Sequence, residues 1–175
     1  AFLRDSLYFP EAKPNAAHFA LADLENREKL KALITQNIDG LHQQAGSRVV
    51  FELHGSLNRF YCTRCRAAFP AEQVNHQKTT PRCDACGGLV RPDVILYGEQ
   101  LDPQVLNASA AAVRQADCLI VGGSSLVVHP AAGLLDHFRG DCLLIINREP
   151  TPYDSRADFV FHGDIAEVLT ELSTV

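Results

Sequence analysis

The six cysteines fall into two kinds by their spacing. Cys62-Thr-Arg-Cys65 and Cys83-Asp-Ala-Cys86 are CxxC pairs with 17 residues between them. A CxxC knuckle aims two thiolates at one cation from a tight turn, and two knuckles complete a tetrahedron with no open position. The pattern predicts one structural zinc ion, with redox pairs or disulfides as the alternative. Gly87-Gly88 relaxes the backbone where the second turn must close. Cys118 and Cys142 lie in Asp-Cys-Leu-Ile-Val and Asp-Cys-Leu-Leu-Ile-Ile and read as buried, inert strand residues.

Other residues could handle protons, sugars and phosphates. His54 is a candidate general base: imidazole titrates near neutral pH, and the following Gly55 leaves it accessible. Asn37 and Asp39 can orient a sugar or a water, although Asp39 could equally cap a helix. In Gly122-Gly123-Ser124-Ser125, small residues admit a ligand to the backbone, and free N–H groups and hydroxyls can bind phosphate. The same run could be only a tight strand-to-helix turn. Asn147 and Glu149 are placed to bind a ribose hydroxyl, or to face water. His18, His42, His76, His129, His137 and His162 show no partner pattern and read as structural or surface residues.

These groups need a scaffold. Helices are expected from Asn15, across 39–45 up to Gly46, over 103–116, over 130–138 and over 165–172, with strands at 30–35, 49–53, 93–97, 119–123, 142–146 and 159–161. Several strands are unbroken runs of Val, Ile and Leu, which suits a sheet covered on both faces. The expected fold is α/β: a Rossmann-like parallel sheet with helices on both faces and an inserted zinc ribbon. In such sheets ligands gather beyond the carboxyl ends of the strands. Five strand ends carry the polar or Gly-rich groups, namely 35–40, 54–55, 97–99, 122–125 and 147–149, so an active site is expected where they meet. The loop 73–80 is polar and expected to be exposed.

Bulk properties exclude other classes. The chain has 175 residues, 46% hydrophobic and 21% charged, as in a soluble domain with a real core. Its net charge of −5 offers no basic field for nucleic acid. No apolar run approaches the roughly 20 residues of a membrane span. Phe2-Leu3-Arg4-Asp5 is too polar for a signal peptide, so a cytoplasmic protein is expected.

Taken together, Pro14-Asn15-Ala16-Ala17-His18, Thr35-Gln36-Asn37-Ile38-Asp39-Gly40-Leu41-His42, Glu52-Leu53-His54-Gly55, the two CxxC pairs, Arg91-Pro92-Asp93-Val94, Tyr97-Gly98-Glu99, Gly123-Ser124-Ser125-Leu126 and Ile146-Asn147 occur in sirtuin order and spacing. The chain resembles a bacterial-type sirtuin, an NAD-dependent protein lysine deacylase, over essentially its whole length. The resemblance implies attack of the acyl-lysine carbonyl oxygen on the anomeric carbon of the nicotinamide ribose, with nicotinamide leaving. His54 then serves as base on the ribose hydroxyls, and O-acyl-ADP-ribose and free lysine result. It places Gln36, Asn37, Ile38 and Asp39 around the nicotinamide and its ribose, with Asn37 and Asp39 joining His54 in catalysis. It places Gly123, Ser124 and Ser125 at NAD phosphate and ribose, and Asn147, Arg148, Glu149 and Ile165 at the adenosine. Val94, Tyr97, Gly98 and Glu99 would hold the substrate peptide by strand addition.

The implied division is a Rossmann-like NAD-binding domain at 1–56 and 93–175, with a zinc-binding module at 57–92 and residues 1–18 able to join the small domain. The chain starts after the family's opening strand, its Gly-Ala-Gly-rich loop and its Gly-Ile-Pro-Asp-Phe-Arg stretch. These are expected upstream of Ala1, because a sheet stripped of a central strand would expose a large apolar face. The usual Gly-Thr-Ser reads Gly123-Ser124-Ser125, which keeps the hydroxyl. Leu3 falls where desuccinylating members carry Arg, which favours acetyl or other uncharged acyl groups. The expected partners are acylated protein lysines, with no nucleic acid or membrane. The alternatives are a protein ADP-ribosyltransferase using the same NAD site, or a non-catalytic zinc-ribbon binding module.

Overall fold

The computed structural model describes residue 9, residues 11–75 and residues 79–174. The expectations resting on Leu3 and His76 lie outside the described residues. Two compact units share the chain. The larger gathers Lys13–Thr35, Leu41–Leu53 and Asp102–Val175; the smaller gathers Gln36–Gly40 and His54–Leu101 with the residues before Lys13. No helix among the described residues is long and apolar enough to cross a membrane.

In the larger unit, α1 (Ala16–Asn26) starts at Asn15, whose side chain accepts from the His18 N–H while the His18 ring accepts from the Asn15 N–H. This reciprocal box satisfies two orphan donors and gives His18 its structural role. Strand β1 (Leu33–Thr35) pairs in parallel with β2 (Val50–Glu52) across the short helix α2 (Leu41–Ala45). Helix α4 (Pro103–Gln115) is capped by Asp102 and carries Pro103 in its first turn. Then β6 (Cys118–Gly122), β7 (Cys142–Ile146) and β8 (Phe159–Phe161) form a parallel sheet in that order. Helix α5 (Ile165–Ser173), capped by Asp164, follows.

Strand β7 explains why this sheet is covered twice. Leu144 and Ile146 meet Ala17 and Ala20 of α1 and Leu169 of α5 on one face. Ile145 meets Leu126 and Leu135 on the other. Burying one such side chain contributes about 1.5–3 kcal/mol, and Ile145 and Ile146 are 0% exposed. The edge strand β6 is different: its ends are exposed and its middle half-buried, where full burial was expected. It pairs only with β7 among the described residues. Cys118, expected buried, is exposed, and its register partner Cys142 is half-buried. Desolvation against its strand neighbours and the Cys142 thiol push the Cys118 thiol up to about 11.

The smaller unit is an antiparallel sheet of β4 (Ala68–Pro70), β3 (Gly55–Cys62) and β5 (Val90–Val94), in that order, with the short helix α3 (Ala71–Asn75). Phe60, Cys62, Ala71, Val74, Cys83 and Val90 form its core. Two expectations change here. The run 93–97 is not a parallel strand: β5 ends at Val94 and runs antiparallel to β3, from Cys62↔Val90 to Gly55↔Val94. This pairing also carries the small unit beyond the 57–92 span. In the larger unit, the helix expected over 130–138 is a 3-10 helix at Ala132–His137. Of the loop 73–80, Gln73 lies in α3 and Thr79 and Thr80 are exposed.

Glu25 is 7% exposed, and its carboxylate accepts the Arg48 and Val49 N–H groups at 2.8 and 3.0 Å, just before β2. Glu25→Ala would strand both donors, so it should lower stability by about 2–4 kcal/mol, read as the urea midpoint. Gly55 has φ +75°, and a Cβ there would lie 2.0 Å from the Asp93 carbonyl oxygen. Gly55→Ala should lower stability by a similar amount, about 2–4 kcal/mol, because strain and clash add. A midpoint shift near zero in either variant would contradict these assignments.

Candidate active site and metal centre

The cysteine knuckles have matching backbones. The Arg66 N–H bonds the Cys62 carbonyl at 3.0 Å, and the Gly87 N–H bonds the Cys83 carbonyl at 2.8 Å. Arg66 and Gly87 both have positive φ, 62° and 71°, closing each turn in the same way. The four sulfurs lie within 4.8 Å of one another, with Cys62–Cys86 at 3.5 Å and Cys65–Cys83 at 3.6 Å. Zinc bonded to four sulfurs at about 2.3 Å requires tetrahedral edges of about 3.8 Å. Gly88 is needed because a Cβ there would sit 2.7 Å from the Cys62 sulfur. A backbone N–H from Cys65 draws the Cys62 thiol down to about 6, whereas Cys86, although a Gly88 N–H lowers it, is pushed up to about 12 by its bonds to the neighbouring thiols. This is a four-cysteine zinc-binding group, closed by its own ligands.

His54 follows β2 and precedes β3. Its Nδ1 lies 3.1 Å from the Gln36 carbonyl oxygen, and its own carbonyl accepts from the Ile95 N–H at 3.0 Å. A carbonyl can only accept, so Nδ1 is the donor in this bond and Nε2 is the nitrogen left with a lone pair. The segment 36–40 is held against β3 as well: the Leu57 N–H bonds the Ile38 carbonyl at 2.8 Å. Gly40, at φ +74°, leaves room for Asn58, which a Cβ would strike at 2.2 Å. Gln36 and Ile38 are half-buried, whereas the alternate residues Asn37 and Asp39 are exposed.

Asn147, Arg148, Glu149 and Ile165, expected at the adenosine, come together with Gly123, expected at the phosphate and ribose. Gly123, Asn147, Arg148, Glu149 and Ile165 line a pocket of about 280 Å³ with Ile146 and Gly163. Gly122 opens it, since a Cβ there would lie 2.3 Å from Ile165 Cδ1. Several of these groups are engaged in shaping the loops. The Gly123 N–H bonds the Ile146 carbonyl at 2.9 Å. Ser124 Oγ accepts from the Leu126 N–H at 3.3 Å, and Asn147 Nδ2 donates to the Glu149 carbonyl at 2.7 Å. Arg148 donates to Asp164 at 2.8 Å, and this bond holds the Asp164 carboxyl below the usual range. Ser125 is exposed. The Gly-Ser run, expected to precede a helix, does not open one: the next helical residue is Ala132. Gly163 went unnoticed in the sequence, although it lies just beyond the end of β8, where the strand-end rule points.

The residues expected at the peptide sit around the end of β5. Val94 is buried, Tyr97 is fully exposed and Gly98 has φ +87°. Glu99 does not reach outward: both its oxygens are taken by Arg91, and one also by the Leu96 N–H. An open groove of about 540 Å³ between α4 and the 3-10 helix holds none of the expected site residues.

Comparison with known proteins agrees with this geometry. Residues 1–130 match the model of the Sir2 family. An NAD-dependent protein deacetylase of Clostridium acetobutylicum is 54% identical over 169 residues, covering 96% of this chain and 69% of that protein. One from Staphylococcus aureus is 49% identical over 173 residues, covering 99% and 71%. Among solved structures, Sir2 bound to acetylated peptide superposes with a TM-score of 0.92 at 38% identity, covering 99% of this chain and 75% of that one. A Sir2 homologue–NAD complex gives 0.89 at 45%, covering 94% and 65%. The chain is therefore a member of the Sir2 family.

Proposed function

We propose that this protein removes acetyl or other acyl groups from protein lysines in an NAD-dependent reaction, giving nicotinamide and O-acyl-ADP-ribose. The observation that carries the reading is the tether on His54: Nδ1 is held by the Gln36 carbonyl, which leaves Nε2 as a directed base. Bound NAD supplies a ribose carbon that nicotinamide can leave. The chain supplies the rest. His54 Nε2 takes a proton from a ribose hydroxyl, with Asn37 and Asp39 orienting that ribose and Gln36 and Ile38 beside it. The pocket at Gly123, Asn147, Arg148, Glu149 and Ile165 holds the adenosine end, with Ser124 and Ser125 next to it in the chain. Val94, Tyr97 and Gly98 offer backbone to the peptide. The relatives named above as NAD-dependent protein deacetylases support this assignment.

Removing the base should lower kcat by about 10²–10⁴-fold in His54→Ala, with the fold retained. The assay is nicotinamide release that requires both NAD and an acetyl-lysine peptide. Unchanged turnover would remove His54 from this role. Label passing from NAD to protein without any acyl-lysine would favour ADP-ribosyl transfer instead.

The zinc has no open position, so it braces the small unit and does not touch the reacting atoms. Metal analysis should find one zinc per chain. Stripping it with a chelator at low pH should unfold the small unit and abolish activity together, both returning with zinc. Activity that survives complete zinc loss would contradict the bracing role.

A further inference from the structure

Residues 96–99 form a turn closed by the Glu99 N–H on the Leu96 carbonyl at 2.9 Å. Gly98 at φ +87° in the third position gives it type II shape. Leu96 is 51% exposed and Tyr97 fully exposed, so the turn buries almost no apolar surface. It is nonetheless held by an ion pair with directional bonds. Arg91 donates to both Glu99 oxygens, at 2.5 and 3.0 Å, and to the Val94 carbonyl at 2.8 Å. Glu99 also accepts from the Leu96 N–H at 2.9 Å. Tyr97 and Gly98 make no hydrogen bond among the described residues. The clamp therefore ties down the backbone groups flanking the turn and leaves its centre open.

We infer that Arg91 and Glu99 are positioning residues for the acyl-lysine peptide, locking the turn so that Tyr97 and Gly98 present a preset backbone to the incoming strand. This rests on the deacylase reading above, and specifically on the peptide role of Tyr97 and Gly98. A preset edge spares the peptide the ordering of a loop on binding. The Arg91 bonds hold the Glu99 carboxyl down to about 2. A lowered carboxylate pKa keeps a pair intact above that value and releases it only as pH falls through it, so the clamp is closed at any assay pH.

The test compares Glu99→Ala and Glu99→Gln with the parent protein, full chain and zinc-loaded. Steady-state KM and direct binding of an acetyl-lysine peptide are measured beside kcat, the KM for NAD, zinc content and Tm. The alanine variant should raise peptide KM and Kd about tenfold. The glutamine variant keeps an acceptor for the Leu96 N–H and should raise them about threefold. In both, kcat and the NAD KM should stay within about twofold. If the alanine variant fails to fold, the glutamine variant carries the comparison. A parent that turns over peptide while both variants keep its peptide KM overturns the clamp alone. Loss of kcat, NAD affinity and Tm in step with peptide affinity would make the pair merely structural and also overturns it. A parent that neither binds nor processes the peptide overturns the deacylase reading, and the clamp's role with it.

Discussion

Four thiolates repel one another until a cation sits among them, and the small unit is arranged around that constraint. Cys62 is the last residue of β3, and its register partner Val90 is the first of β5. The metal group therefore fixes one end of the β3–β5 ladder. The other end carries Gly55 opposite Val94, with the His54 carbonyl bonded to the Ile95 N–H. β3 shifts register between Ser56 and Phe60, so the ladder's length is set by the four steps of β5 from Val90 to Val94, about 13 Å at about 3.3 Å per residue. The four-cysteine group connects to the far end through strand pairing, and the pairing sets where the imidazole and the turn at 96–99 stand.

The same device, a side chain or carbonyl spent on a backbone partner, recurs where strands begin or change direction. Glu25 takes two N–H groups ahead of β2. Asp158 accepts the Leu143 N–H at 2.8 Å, and the Leu143 carbonyl accepts the Asp158 N–H at 2.9 Å. At His54 the partner is a neutral carbonyl, which fixes the tautomer without placing a second charge at the site. Short strands of three residues make few ladder bonds of their own, so such outside partners carry much of their definition.

What the sequence made legible was local. CxxC spacing, the helix start at Asn15, the helix from Pro103 and the apolar run at β7 each state their structure within a few residues, and all appear as expected. The failures were non-local. The run 93–97 has the apolar content of a parallel strand, but the antiparallel partner β3 and the glycine turn at 98 decide its fate. Cys118 sits in an apolar run, yet its exposure follows from β6 being an edge strand among the described residues, which no window of sequence reveals. Parallel order and antiparallel insertion depend on which strands meet, and pattern alone cannot supply that.

The strand-end rule grouped residues in space better than it told what their polar groups contact. It brought Gly123, Asn147, Arg148 and Glu149 to one pocket. It also credited ligand binding to groups that the loops use themselves: the Gly123 N–H, Ser124 Oγ, Asn147 Nδ2 and the Glu99 carboxylate. A loop that stays ordered must satisfy its own backbone donors and acceptors, and the nearest polar side chains are the usual partners. Polar residues at strand ends therefore divide into those that shape the pocket and those that face it. Gly122 belongs with the shapers although it has no side chain, because its missing Cβ is the space that Ile165 occupies.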